Sequence, residues 1–153
     1  MTTTSPSGGH TGRAAWMRTL SLSPWSELEP LARDFLSTPH DVLRAPEAGL
    51  VMLRGRMGAT GAAFNFGEAT VTRCAVRLTV GIEGHAYVMG RNAAHARLAA
   101  VCDALLQTTD YEVQVRERVI APLEARLQQD HIETAGKAAA TKVDFFTMVR
   151  GND

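Results

Sequence analysis

Cysteine and lysine are scarce in this chain of 153 residues, with two of each, and neither sign of charge is in excess. Cys74 and Cys102 lie far apart beside apolar neighbours, which excludes a disulfide framework and reads as two reduced, core-facing thiols. Sixteen basic and sixteen acidic residues cancel, so the uniform positive field that drives non-specific nucleic-acid binding is missing. No apolar run approaches the ~18 residues of a membrane span, and the start "MTTTSPSGGHTG" lacks the charged and apolar regions of a secretory signal. A cytoplasmic location is expected. The histidines His10, His40, His85, His95 and His131 show neither HExxH spacing nor a Cys/His pairing that would mark a metal site, and no GxSxG nucleophile motif occurs.

What is present is an uneven distribution of arginine. Fourteen of the sixteen bases are arginine, the side chain whose planar fork grips carboxylate or phosphate bidentately, although a genome rich in arginine codons explains the bias equally well. Residues 44–97 hold seven bases against three acids, whereas residues 98–153 hold six against nine. Within residues 54–78, "RGRMGATGAAFNFGEATVTRCAVRL", four arginines share the segment with a single carboxylate, Glu68.

Residues 1–12, rich in Ser, Thr and Gly, are expected to be a disordered tail, with one domain over residues 13–153. Trp16 and Leu20 lie one helical turn apart. In "SELEPLARDFL", Ser26 and Glu29 have capping-box spacing, Leu28, Leu31 and Phe35 form one stripe, and Pro30 falls near the first turn. From His40 the period becomes alternating. "DVLRAPEAGLVMLRGRM" predicts two strands around a turn at Pro46–Gly49, "AAFNFGEATVTRCAVRLTV" a second pair around Gly67–Glu68, and "GHAYVMG" a strand after the turn at residues 81–84. Asn92 predicts an N-cap for a helix with Ala94, Leu98, Val101, Cys102 and Leu105 on its apolar stripe. A further helix begins after Asp110, with Val115 and Val119 a turn apart, and Pro122 kinks or restarts it before it runs to about Gly136. The order predicts an α+β fold: an antiparallel meander of about four to five strands packed with N-terminal and C-terminal helices.

Strand alternation places Arg54 and Arg56 with Leu50 and Met52, and Arg73 and Arg77 opposite the apolar set Cys74, Val76 and Leu78. If the strands share a sheet, these four arginines crowd one surface, and crowded like charges call for an anionic partner or ample water. A phosphate-bearing ligand could lie there, with backbone amides of the turn "MGATG", including Thr60 and Gly61, forming a nest. The same face could instead dock on an acidic protein surface, or be solvated. "MGATG" lacks the lysine and hydroxyl residue of a Walker A loop. His95 reads as a half-buried structural histidine, and Glu47, Glu68 and Asp103 as salt-bridging or turn residues before acids or bases.

"RMGATG", "GEATVTRCAVRL", "GRNAAHARLAAVCDALLQ", "IAPL" and the terminal "VDFFTMVRG" resemble, in order, the signature stretches of PhnG, the G subunit of the bacterial carbon-phosphorus lyase system. The resemblance implies an assembly subunit that acts with the H, I and J subunits, the I subunit being the main contact, and more loosely with the ATPase-like K and L subunits. It implies a share in moving the ribose 5-triphosphate of ATP onto an alkylphosphonate with release of adenine, as a non-autonomous part of a transferase. ATP is then a co-substrate of the complex, and the iron-sulfur cluster and S-adenosylmethionine that cleave the carbon-phosphorus bond belong to another subunit. Two cysteines cannot supply the three or four thiolates of a four-iron cluster, so no cofactor is expected on this chain. No catalytic residue carries over. Direct clamping of triphosphate or phosphonate by Arg54, Arg56, Arg73 or Arg77 is the alternative, and a free-standing phosphonate-binding module a third reading that a large exposed apolar patch would oppose. At the end of the chain, adjacent Phe145 and Phe146 point to opposite sides of an extended strand, so they, with Met148 and Arg150, are candidates for a partner interface.

Overall fold

The Asn92 side chain accepts a hydrogen bond from the His95 amide at 2.9 Å and starts the helix around which the other elements are arranged. In the computed structural model, which describes the backbone of residues 9–56 and 61–140 and the side chains of residues 12–137 within those spans, the order begins with α1 (Gly9–Leu22) and α2 (Trp25–Ala32). A 3₁₀ turn (Arg33–Ser37), β1 (His40–Arg56), β2 (Ala63–Leu78), β3 (Glu83–Met89) and α3 (Ala93–Leu105) follow. The last elements are α4 (Glu112–Val115), a π turn (Arg116–Ile120) and α5 (Ala121–Ala140). The α+β class is as expected. Among the described residues no helix is long and apolar enough to cross a membrane.

Among the described residues, the expected four to five strands are three in the order β1-β2-β3, all antiparallel. Neither the turn at Pro46–Gly49 nor the one at Gly67–Glu68 forms. β1 instead absorbs one extra residue between Val42 and Arg44 and another between Arg44 and Glu47, and β2 absorbs one opposite the Leu53–Arg54 step. Pro46 falls in the second bulge of an edge strand, where its missing N–H breaks no ladder bond. The turn expected at residues 81–84 forms slightly earlier: Gly81, at φ +90°, donates to the Leu78 carbonyl, and Glu83 and Gly84 already belong to β3.

The inner face of the sheet presents Cys74, Val76 and Leu78 from β2 and Ala86 and Val88 from β3 to α3. Gly84 lies on the same face, and its missing side chain lets the α3 backbone approach: a Cβ there would overlap the Ala100 carbonyl oxygen and stand 2.6 Å from Ala104 N. α3 was expected to have one apolar stripe, yet it is buried nearly all round, because α1, α2 and the segment carrying Val115, Val119, Ile120 and Leu123 cover its far side. Of the predicted stripe only Ala94 is exposed.

α1 begins at Gly9, inside the stretch expected to be a tail, and buries Trp16 and Leu20 as their spacing predicts. α2 starts at Trp25 with Pro24 in the N-cap position, so the expected Ser26–Glu29 capping box is not made, and Glu29 accepts from Arg33 at 2.6 Å instead. Pro122 cannot donate to a carbonyl one turn back. The helix widens into the π turn just before it and restarts as α5, the restart expected at this proline.

His95 is 5 % exposed; its ring tilts against Trp25 and its Nε2 pairs with the Leu20 carbonyl oxygen at 2.8 Å, a structural role. Burial pushes its pKa below the ordinary value, opposed by the Leu20 hydrogen bond. The unfolded chain therefore binds the extra proton first, and stability falls as pH drops below about 6.5. In His95→Gln, which keeps a donor for Leu20, the urea midpoint is expected to fall less between pH 7 and pH 5 than in the wild type. Equal slopes would refute this.

Candidate functional site: the bare sheet face and the arm

Among the described residues no helix packs on the outer face of the sheet. The register sets Arg73 beside Glu47 and Tyr87, Ala75 beside Arg44 and His85, and Arg77 beside Asp41 and Glu83. Arg73 and Arg77 do share this face, as alternation predicts, but each is already partnered. Arg77 donates to Glu83 through Nε at 3.1 Å and Nη2 at 2.5 Å, and this guanidinium holds the Glu83 carboxyl below the usual carboxylate range. Arg73 Nη2 lies 3.5 Å from Glu47 Oε2, while its Nε is buried with no hydrogen-bond partner. Arg73 also lines a cavity of about 380 Å³ with Leu43, Arg44, His85 and Tyr87. Arg44 escaped sequence reasoning because the two bulges of β1 decide what stands opposite Ala75, and His85 and Tyr87 because the pairing of β3 with β2 is a long-range relation that alternation does not report.

Arg54 and Arg56 are elsewhere, which corrects the expected four-arginine surface. They sit opposite Asn65 and Ala63, eight or more residues up β2 from Arg73, a separation of about 25 Å along a strand. Alternation continued from Ala48 also puts them on the opposite side of the sheet, in line with Leu50 and Met52. Together with Gly55 and Ala63 they line a separate open groove. Gly61 lies at the entrance to β2; Thr60 falls outside the described residues, as do Phe145, Phe146, Met148 and Arg150. Glu68, opposite Met52, is exposed on β2.

These two arginines cap an arm. β3 pairs with β2 only from Val71 to Arg77, so residues 49–56 and 63–70 continue past the sheet as a two-stranded ribbon. Val51 and Leu53 lie on one side and Leu50 and Met52 on the other; Leu50 is 65 % exposed, Met52 55 % and Phe66 59 %. The Phe66 ring packs across Gly55, where a Cβ would stand 3.0 Å away, and lies 6.1 Å from the ring of Phe64. The consecutive run Leu50, Val51, Met52 and Leu53 is the sequence signal for this surface, because a strand apolar in both phases is one built to be covered on both faces. Such a patch opposes the reading as a free-standing binding module.

The remaining chemistry is structural. Asp103, fully buried, accepts from Arg13 at 2.7 and 3.2 Å, from Trp16 Nε1 at 2.8 Å and from the His85 amide at 2.9 Å, so it joins α1 to α3 and β3 and has no lone pair to spare for catalysis. Burial pushes the Cys102 thiol up to about 12, with the Asp103 charge adding to it, and raises Cys74 against the pull of Arg97. Both are free, buried and protonated at neutral pH, as their apolar surroundings predict.

Residues 11–151 match the family described as "Phosphonate metabolism protein PhnG". The chain belongs to this family. It is also similar to the alpha-D-ribose 1-methylphosphonate 5-triphosphate synthase subunit PhnG of Rhizobium meliloti (strain 1021), with 45 % identity over 152 residues that cover 98 % of this chain and 96 % of the relative. The PhnG match takes in the whole sheet, the arm and the Asp103 network, so these features lie within the family domain rather than in an appended segment.

Proposed function

We propose that this chain is the G subunit of an alpha-D-ribose 1-methylphosphonate 5-triphosphate synthase and serves it mainly in assembly. Its partners in this reading are the H, I and J subunits, the I subunit foremost, with the K and L subunits held more loosely. Together they transfer the ribose 5-triphosphate of ATP to an alkylphosphonate and release adenine. The observation that supports an assembly role is the condition of the arginines: Arg73 and Arg77 are occupied by Glu47 and Glu83, and Arg54 and Arg56 lie about 25 Å or more away on the other side. Four guanidiniums so disposed do not form one clamp for a triphosphate.

The test co-expresses the chain with the other subunits and measures both the assembled fraction and adenine release. For Arg77→Glu and Arg73→Glu, adenine release per assembled complex is expected to stay within about twofold of wild type, whatever happens to assembly. Intact assembly with release reduced by about a hundredfold, the scale of losing a group that stabilises charge in a transition state, would overturn the assembly reading in favour of a clamp.

The second reading keeps a direct role for Arg73. The observation that favours it is that Arg73, whose buried Nε has no partner, lines a cavity with Arg44 and His85 in which an oxyanion could meet its guanidinium. On that reading Arg44→Ala raises KM for the phosphonate or ATP by about tenfold with assembly unchanged, the loss of one charged hydrogen bond. An unchanged KM would dismiss it.

A further inference from the structure

The exposed ribbon of β1 and β2 has a more specific meaning than membership in a complex. We propose that the arm, residues 49–56 and 63–70, is a docking element that lodges in an apolar cleft of a different subunit, with Arg54 and Arg56 meeting carboxylates at the far end of that cleft. The inference rests on the reading of this chain as a synthase subunit and adds the surface and the chemistry of its partner.

Three observations carry it. First, nothing in the described chain covers the arm: β3 stops pairing with β2 at Val71, and Leu50, Met52, Phe64 and Phe66 are all exposed. A ribbon of two strands is marginal in water, and a monomer rarely leaves a contiguous apolar surface of this kind bare, so the arm is shaped for burial by another surface. Second, the arm is apolar on both sides, with Val51 and Leu53 on one and Leu50 and Met52 on the other. A flat partner would cover one side only; a cleft covers both. Third, charge selects the occupant. Arg54 and Arg56 make no ion pair or hydrogen bond within the described residues, and Glu68 is the arm's only acid. Two copies of the arm would bring four arginines together against two glutamates, whereas a partner with carboxylates at the end of its cleft matches the tip.

The outer edge of β1 adds a geometric constraint. Its two bulges and Pro46 lie at the base, between Val42 and Glu47, where they discourage strand addition. From Glu47 to Leu53 the register is regular and the edge has no neighbour among the described residues, so the partner can also contribute a strand there.

The experiment uses the full chain co-expressed with the other synthase subunits and two variants, Leu50→Ser with Phe66→Ser, and Arg54→Glu with Arg56→Glu. All four side chains are exposed, so each variant is expected to keep the thermal midpoint of the isolated chain within a few degrees. The fraction of chain that co-purifies with the complex is expected to fall at least tenfold in the serine variant and severalfold in the glutamate variant. Amides of residues 49–56 and 63–70 should exchange with deuterium rapidly in the isolated chain and slowly in the complex. Wild-type assembly by both variants, or rapid exchange in the complex, overturns the docking proposal and leaves the subunit reading standing. Failure of the wild-type chain to co-purify refutes the subunit reading itself. An isolated chain that dimerises, or that binds phosphatidylglycerol vesicles, and loses this behaviour in the serine variant also overturns the proposal, because the arm's partner is then a second copy or a lipid surface.

Discussion

Gly84→Ala is expected to destabilise the chain by about 3 kcal/mol or more, toward the severe end of overpacking effects. The added methyl would meet the Ala100 carbonyl oxygen and the Ala104 nitrogen, which are backbone atoms and cannot rotate away. Relief requires β3 and α3 to separate, and that separation would open the core between Val76, Ala86 and the helix. A domain of this size has only about 5–15 kcal/mol in hand, so a large loss of soluble protein should accompany the drop in denaturant midpoint. An unchanged midpoint in Gly84→Ala would show that the close approach of strand and helix is not a feature of the folded chain. Gly67, where an added Cβ meets nothing, is the control: Gly67→Ala should change the midpoint little.

Asp103→Ala should cost about 3–5 kcal/mol, the scale of breaking a buried ion pair by removing one partner. The substitution strands the Trp16 indole N–H and the His85 amide in the interior and leaves Arg13, about one third exposed, without its bidentate acceptor. Asp103→Asn preserves the shape but turns one acceptor into a donor facing donors, so it should recover only part of the loss. The effect should be greatest at α1, since Arg13 and Trp16 reach Asp103 from that helix. Faster amide exchange over residues 13–22 than over α3 in Asp103→Asn would locate the weakness; uniform acceleration would contradict a role as the α1 anchor.

Much of the helical half of the fold was legible in the sequence. The Asn92 cap, the burial of Trp16, Leu20, Leu28 and Phe35, the restart at Pro122 and the two inert thiols all depend on neighbours within one or two turns, which spacing and residue type report directly. The turn signals in the strands misled for the opposite reason. Proline and glycine at residues 46–49 and glycine at residue 67 allow a bend without requiring one, and pairing along the whole of β1 and β2 supplied ladder hydrogen bonds that a bend would have forfeited. Pro46 is taken up in a bulge, and Gly49 and Gly67 in regular register opposite Val71 and Leu53.

The candidate site divides along the same line. Alternation was enough to put Arg73 and Arg77 on one face. It could not say that Glu47 and Glu83 stand beside them, that Arg44 and His85 line the cavity, or that Arg54 and Arg56 belong to a distant tip: the partners on β1 depend on a register set by three bulges, and those on β3 on where that strand pairs with β2. The run Leu50–Leu53 announced a strand covered on both faces, but only the point where β3 ends decided that the described residues do not do the covering.

Taken alone, the order of residues determined the α+β class, the buried helix faces, the shared side of Arg73 and Arg77 and the resemblance to PhnG, because these are written in local period and in contiguous words. Tertiary structure alone decided which charges cancel, how far the arginine pairs stand apart and which apolar surface is left bare. Those are relations between residues tens of positions apart, and in a sheet one inserted residue shifts every partner beyond it.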